Sequence, residues 1–155
     1  MTMRRWLNRL FEHEVMNGDG RCPVYLHRWT LLTFGSYSVY LHHFVGDDWC
    51  FDLHDHPKRF ISIGLWGSYV EETPTPDRPG FLNHTVYRAP WVRTFPATHI
   101  HRIRLTGPYN NRRPCWTLVI VLRAVRAWGF WHDGEWIPWR EYVDSDTATE
   151  MKSCP

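Results

Sequence analysis

An all-β sandwich or barrel with one short N-terminal helix is the fold this sequence predicts, on three observations. Short runs rich in Val, Ile, Tyr, Phe and Trp alternate apolar with polar side chains, as a half-buried strand requires. Gly, Pro, Asn and Asp clusters interrupt these runs at short intervals and mark the turns. Aromatic side chains make up 16% of the 155 residues, ten of them tryptophan. Such rings suit a sheet core and the walls of a pocket.

Taken in order, residues 3–14 are the helical exception. Trp6, Leu7, Leu10 and Phe11 gather on one helical side, with Arg5, Arg9 and Glu12 on the other. Asn17-Gly18-Asp19-Gly20 then closes the helix with a loop. From Pro23 the period changes to two. Segments 24–32 and 37–45 read as strands joined by a turn at Phe34-Gly35-Ser36, and Gly46-Asp47-Asp48 is the next turn. Strand-like runs follow at 51–56, 59–66 and 68–72, the last two hinged on Gly67. Three prolines make 73–79 an exposed loop. Strands resume at 84–88, 92–95, 100–105, 115–123 and 127–132, with a Gly/Pro/Asn-rich basic loop at 106–114. Asp133-Gly134 is a hairpin signal before Glu135-Trp136-Ile137, and 139–143 forms either a helical turn or a last edge strand. One domain is expected: helix and loop over 1–20, barrel over 21–143, and a loose polar tail over 144–155.

Charge and cysteine usage set limits on function. The net charge of +2 gives no polyanion-binding signal, and only Arg112-Arg113 resembles a phosphate contact, which argues against nucleic acid. Four scattered cysteines (Cys22, Cys50, Cys115, Cys154) lack Cys-x-x-Cys spacing, so reduced thiols and a cytoplasmic location are expected. No signal peptide and no membrane-spanning run is read from the sequence. Aromatic edge strands make a homodimer an expectation.

The chemistry concentrates in two stretches. In His54-Asp55-His56 the two imidazoles project to one face of an extended segment and can share a metal ion. His99-Ile100-His101 repeats the spacing on another strand and can donate a further ligand.

These residues carry a family resemblance. His54-Asp-His56-Pro-Lys-Arg-Phe60, followed by Gly67, resembles the first motif of the cupin superfamily, and Pro96-Ala-Thr-His-Ile-His101 resembles the second. His54, His56, Gly67, Pro96 and His101 match. Phe60 occupies the slot of the usual glutamate; Pro90 and Thr98 stand where glycines are usual. The resemblance covers roughly residues 48–105 and implies a small cupin-type jelly-roll, a double-stranded β-barrel. It also implies a divalent metal on His54, His56 and His101, the three-histidine set of the cupin thiol dioxygenases. Fe(II) is favoured for that set, with Mn, Ni, Zn, Co or Cu as alternatives. Glu71 is the candidate replacement carboxylate, or a group that holds a histidine tautomer from behind. His99 shares alternation with His101 and serves as a further ligand or as a pocket residue.

Around these ligands, Tyr69 and Glu71 are candidate proton-moving residues, and Arg59, Arg93 and Tyr87 are candidate contacts to a small-molecule substrate. Three functions follow: a three-histidine oxygenase acting on a thiol or other small molecule, a metal-dependent isomerase, epimerase or lyase on a carbonyl or sugar compound, and a non-enzymatic binding module. The missing glutamate favours the first.

Overall fold

Period-two alternation gives this chain strands with one face for the interior and one for the outside. The computed structural model describes residues 11–16, 23–48 and 52–144. Its strands are β1 (His13–Met16), β2 (Leu26–Phe34), β3 (Tyr37–Phe44), β4 (Leu53–His54), β5 (Lys58–Trp66), β6 (Ser68–Pro74), β7 (Leu82–Arg88), β8 (Trp91–Phe95), β9 (Arg102–Leu105), β10 (Cys115–Ala124), β11 (Gly129–His132) and β12 (Glu135–Pro138), followed by the helix α1 (Trp139–Asp144).

Six strands form one antiparallel layer in the order β1-β2-β3-β10-β5-β8. A second layer consists of two three-stranded sheets, β12-β11-β4 and β7-β6-β9. These two halves meet where His54 and His101 exchange both backbone hydrogen bonds, at 2.9 and 3.0 Å. Leu26, Phe44, Tyr69, Leu105 and Cys115 are the buried centre between the layers. A second cluster, Phe130 stacked on Tyr142 at 4.1 Å with Trp128 and Ile137 beside them, lies under α1.

Gly67 makes the β5–β6 turn at φ +85°, and a Cβ there would stand 2.4 Å from the Pro114 carbonyl oxygen. Only glycine meets both demands. Glu72, on the opposite side of β6 from Glu71, is buried under Arg102 and pairs with His84 at 3.4 Å.

The N-terminal helix is corrected in part. Residues 3–10 of the expected helix lie outside the described residues, but His13 and Glu14, its expected end, belong to β1. That strand pairs with β2 in the register His13↔Trp29 to Met16↔Leu26. The open edge of β2 offers backbone partners to His13–Met16, and these outweigh the helical side-chain pattern. The single described helix is α1, at the other end of the chain. Among the described residues no helix is long and apolar enough to cross a membrane.

Candidate metal centre

The ligand candidates come from the seam of the second layer. His54 ends β4 and His101 sits directly before β9, so their backbone pairing fixes the two residues opposite each other. His56 follows β4 and is anchored by its backbone N–H donating to the Ala97 carbonyl at 3.1 Å. The three rings form a nearly equilateral triangle, with centroids 5.1, 5.2 and 5.0 Å apart. One nitrogen from each lies within 4.8 Å of the others.

Asp55 faces away from this triangle and is itself buried. Its carboxylate accepts hydrogen bonds from Arg126 Nη1 at 2.5 Å, the Gly129 backbone at 2.9 Å and the Trp136 indole at 3.0 Å. The His-x-His segment is thereby tied to the β11–β12 hairpin through the residue between its two ligands.

Protonation decides whether these rings fit a cation. Burial lowers His54, and lowers His56 well below the ordinary histidine value. Burial also brings His101 down to about 4, against the raising pull of Glu71. All three are therefore neutral near pH 7. The Glu71 carboxyl is pushed up by burial, but hydrogen bonds from His101, His99 and Arg93 outweigh that and hold it well below the usual carboxylate range. An ionised carboxylate only accepts. His101 Nδ1, 2.7 Å from Glu71 Oε1, must therefore carry the ring proton. The lone pair is left on Nε2, which points at His56 Nε2 across 2.8 Å. The donor set fits a divalent transition metal: three neutral imidazoles converge, one with its tautomer fixed from behind.

Glu71 is thus a positioning group. Oε1 also accepts from His99 Nε2 at 2.9 Å, and Oε2 accepts from Arg93 Nη2 at 2.5 Å. Glu71, His99 and His101 likewise bring one donor atom each within 4.8 Å. There, however, the Arg93 guanidinium already neutralises the carboxylate a cation needs. His99 accordingly stands as the outer partner of Glu71.

A cavity of about 430 Å³ opens in front of the triangle, lined from both layers. Phe60, in the slot where a glutamate was missed, packs edge-on to His56 at 4.8 Å and stacks on Phe95 at 4.5 Å. It supplies an apolar wall where a carboxylate ligand would reach. Tyr69 is 2% exposed and lines the cavity. Burial raises its pKa and Arg93 Nη1 donates to its oxygen at 3.0 Å, so the phenol keeps its proton and can donate it.

The three expected substrate contacts fall elsewhere. Arg59 is exposed on the outer face of β5, because inward positions there are the even-numbered Phe60 and Ser62. Arg93 is committed to Glu71 and Tyr69 and lies between the rings of Tyr87 and Phe95, 3.5 and 4.5 Å from their centroids. Neither Arg93 nor Tyr87 lines the cavity. Sequence reasoning missed Asp48, Arg28 and Thr117, which do; of the adjacent His42 and His43, His42 is the one that faces in. The signal for these residues is cross-strand register, which one strand read alone does not carry.

No protein-family model matches the chain, and neither does any curated protein. Solved structures resemble it at the level of fold, among them one with a double-stranded β-helix domain. An Fe(II) form of HppE superposes with a TM-score of 0.54 at 9% identity, covering 72% of this chain and 57% of that one. The DMSP lyase DddQ from Ruegeria pomeroyi DSS-3 gives 0.53 at 17% identity, covering 86% and 62%. An uncharacterized conserved protein with a double-stranded β-helix domain from Klebsiella pneumoniae gives 0.50 at 14%, covering 84% and 88%. The chain spans less than two thirds of the first two.

Proposed function

We propose that this chain is a metal-dependent oxygenase of the three-histidine type, acting on a thiol or other small molecule. His54, His56 and His101 hold the ion, with Fe(II) as the favoured metal. The observation that carries the reading is the convergence of three neutral imidazoles with no carboxylate among them, His101 being turned to its ligating tautomer by Glu71. When bound, a divalent iron supplies redox chemistry and open coordination positions. The chain's own residues do the rest. Phe60 and Phe95 exclude water from one side, Asp55 fixes the His-x-His segment, and Tyr69 offers a proton to a bound substrate atom.

The isomerase or lyase reading requires a base in the cavity. Tyr69, pushed up by burial, and Glu71, enclosed by three donors, are poor candidates for it, which leaves Asp48, a cavity carboxylate that accepts from the Ile103 amide at 2.7 Å, as the group that reading would use. Metal analysis of the purified full chain, followed by oxygen uptake with a panel of small thiols, tests the proposal. Iron at one equivalent with thiol-dependent uptake supports it. Proton exchange into a carbonyl compound without oxygen uptake selects the lyase class instead, and ligand binding indifferent to metal selects a binding module.

A further inference from the structure

Substrate recognition needs polar groups facing the cavity, and the arginines nearest the metal centre do not provide them. The wall of the six-stranded layer does. Arg28 on β2, His42 on β3 and Thr117 on β10 are consecutive partners in register, so they form one row across the inner face. All three line the cavity.

Thr117 is 1% exposed, and its hydroxyl has no hydrogen-bond partner. A buried hydroxyl left unpaired costs roughly 1–3 kcal/mol, which a bound group can relieve. His42 accepts from Arg28 Nε through Nε2 at 3.1 Å, so its ring proton lies on Nδ1, which has no partner among the described residues. Arg28 lies 4.9 Å over the Tyr40 ring and keeps donors to spare. Its acidic neighbour is the half-exposed Glu14, at 3.6 Å from Nη1. The row therefore presents a guanidinium, an imidazole N–H and a hydroxyl within apolar surroundings that include Leu26, Phe44 and Val119.

Such a row accepts a carboxylate whose body is apolar. Along β10, Thr117 is four residues from Val121, the register partner of Phe60 beside His56. At 3.3 Å per residue that step is about 13 Å. We infer that the Arg28–His42–Thr117 row is the anion-binding end of the substrate cavity, and that it takes the carboxylate of an apolar organic acid whose other end lies toward the metal centre. The inference deepens the proposed function and rests on the same cavity being the substrate site.

Titration of the metal-free full chain with sodium hexanoate, followed by backbone amide shifts, tests it without any turnover. Saturable shifts at Thr117, His42 and Arg28 are expected, with hexanamide binding about tenfold more weakly. Thr117→Val and Arg28→Gln should each weaken hexanoate several-fold while the amide spectrum stays dispersed. Lys58→Met, which removes the other cation lining the cavity, at the end of β5 away from the row, should leave hexanoate binding intact. Equal binding of hexanamide, unchanged binding by both variants, loss of binding in Lys58→Met, or no saturable shift at Thr117 would overturn the inference. A parallel zinc titration separates the two proposals. Hexanoate binding without zinc binding leaves the row standing and sinks the metal reading; zinc binding without hexanoate binding does the reverse.

Discussion

Replacing Glu71 by glutamine removes one charge and one acceptor from behind His101 while keeping the side chain's shape. The carboxylate now takes His101 Nδ1 and His99 Nε2 on one oxygen and Arg93 on the other. An amide cannot serve both sides. With its oxygen toward the histidines, its NH2 meets the Arg93 guanidinium, donor against donor. With its NH2 toward them, His101 Nδ1 becomes the acceptor and the ring proton moves to Nε2, where the ion would bind. Either orientation weakens the metal site, and the loss of such an orienting partner typically costs 10–100-fold in affinity, about 1.4–2.7 kcal/mol. Cobalt(II) titration followed by its visible absorption, in competition with a chromophoric chelator near pH 7.5, measures this. Glu72→Gln is the control: it breaks an equally buried ion pair on the other side of β6 and should cost stability without touching cobalt affinity. A folded Glu71→Gln protein that binds cobalt within twofold of the parent would refute the orienting role and the tautomer assignment with it.

Three other outcomes are expected. His101 is lowered to about 4 by burial, so its contribution to stability is complete above the unfolded value near 6.5 and is lost as pH falls through the folded one, on the order of 3 kcal/mol. His42, His54 and His56 shift in the same direction, so urea midpoints of the metal-free chain should drop between pH 7.5 and 4.5; equal midpoints would show that these rings are not buried neutral. Phe60→Glu places a carboxylate beside His56 in an apolar wall and should lower the melting temperature of the metal-free protein, with divalent metal restoring part of it. Thermal scans with and without zinc check this. Gly67→Ala forces a Cβ to 2.4 Å from the Pro114 carbonyl at φ +85°, and should destabilise by about 2–4 kcal/mol in chemical denaturation.

Local pattern made much of this fold legible. Alternation in segments 37–45 and 115–123 places β3 and β10 to within a residue or so at each end, and Gly67 announces its turn because no other residue fits it. The parity of the His-x-His pair also carries forward: with His54 and His56 inward, Phe60 and Ser62 follow inward and Arg59 must face out. Arg59, a candidate substrate contact by its charge, is ruled out of the cavity by that parity. Arg93 does turn inward, opposite Ser62, but the sequence gives no hint that Glu71, Tyr69 and Tyr87 would occupy it. The Arg28–His42–Thr117 row depends on three strands coming into register, one of them separated by more than seventy residues, and nothing local encodes it. At His13 and Glu14, the last residues of the expected helix, the chain answers to the open edge of β2 instead.

Among the described residues, the two halves of the second layer are joined by a ring of two main-chain hydrogen bonds between His54 and His101, with the His56 N–H on the Ala97 carbonyl beside it. The spacing of His54 and His101 is consequently set by peptide geometry rather than by side-chain rotamers, which gives the candidate ligands the stiffness of a sheet. The same arrangement removes any middle ground. Peeling one half of the layer from the other dismantles the triangle at the same moment, so the architecture cannot fray at this point and keep its chemistry.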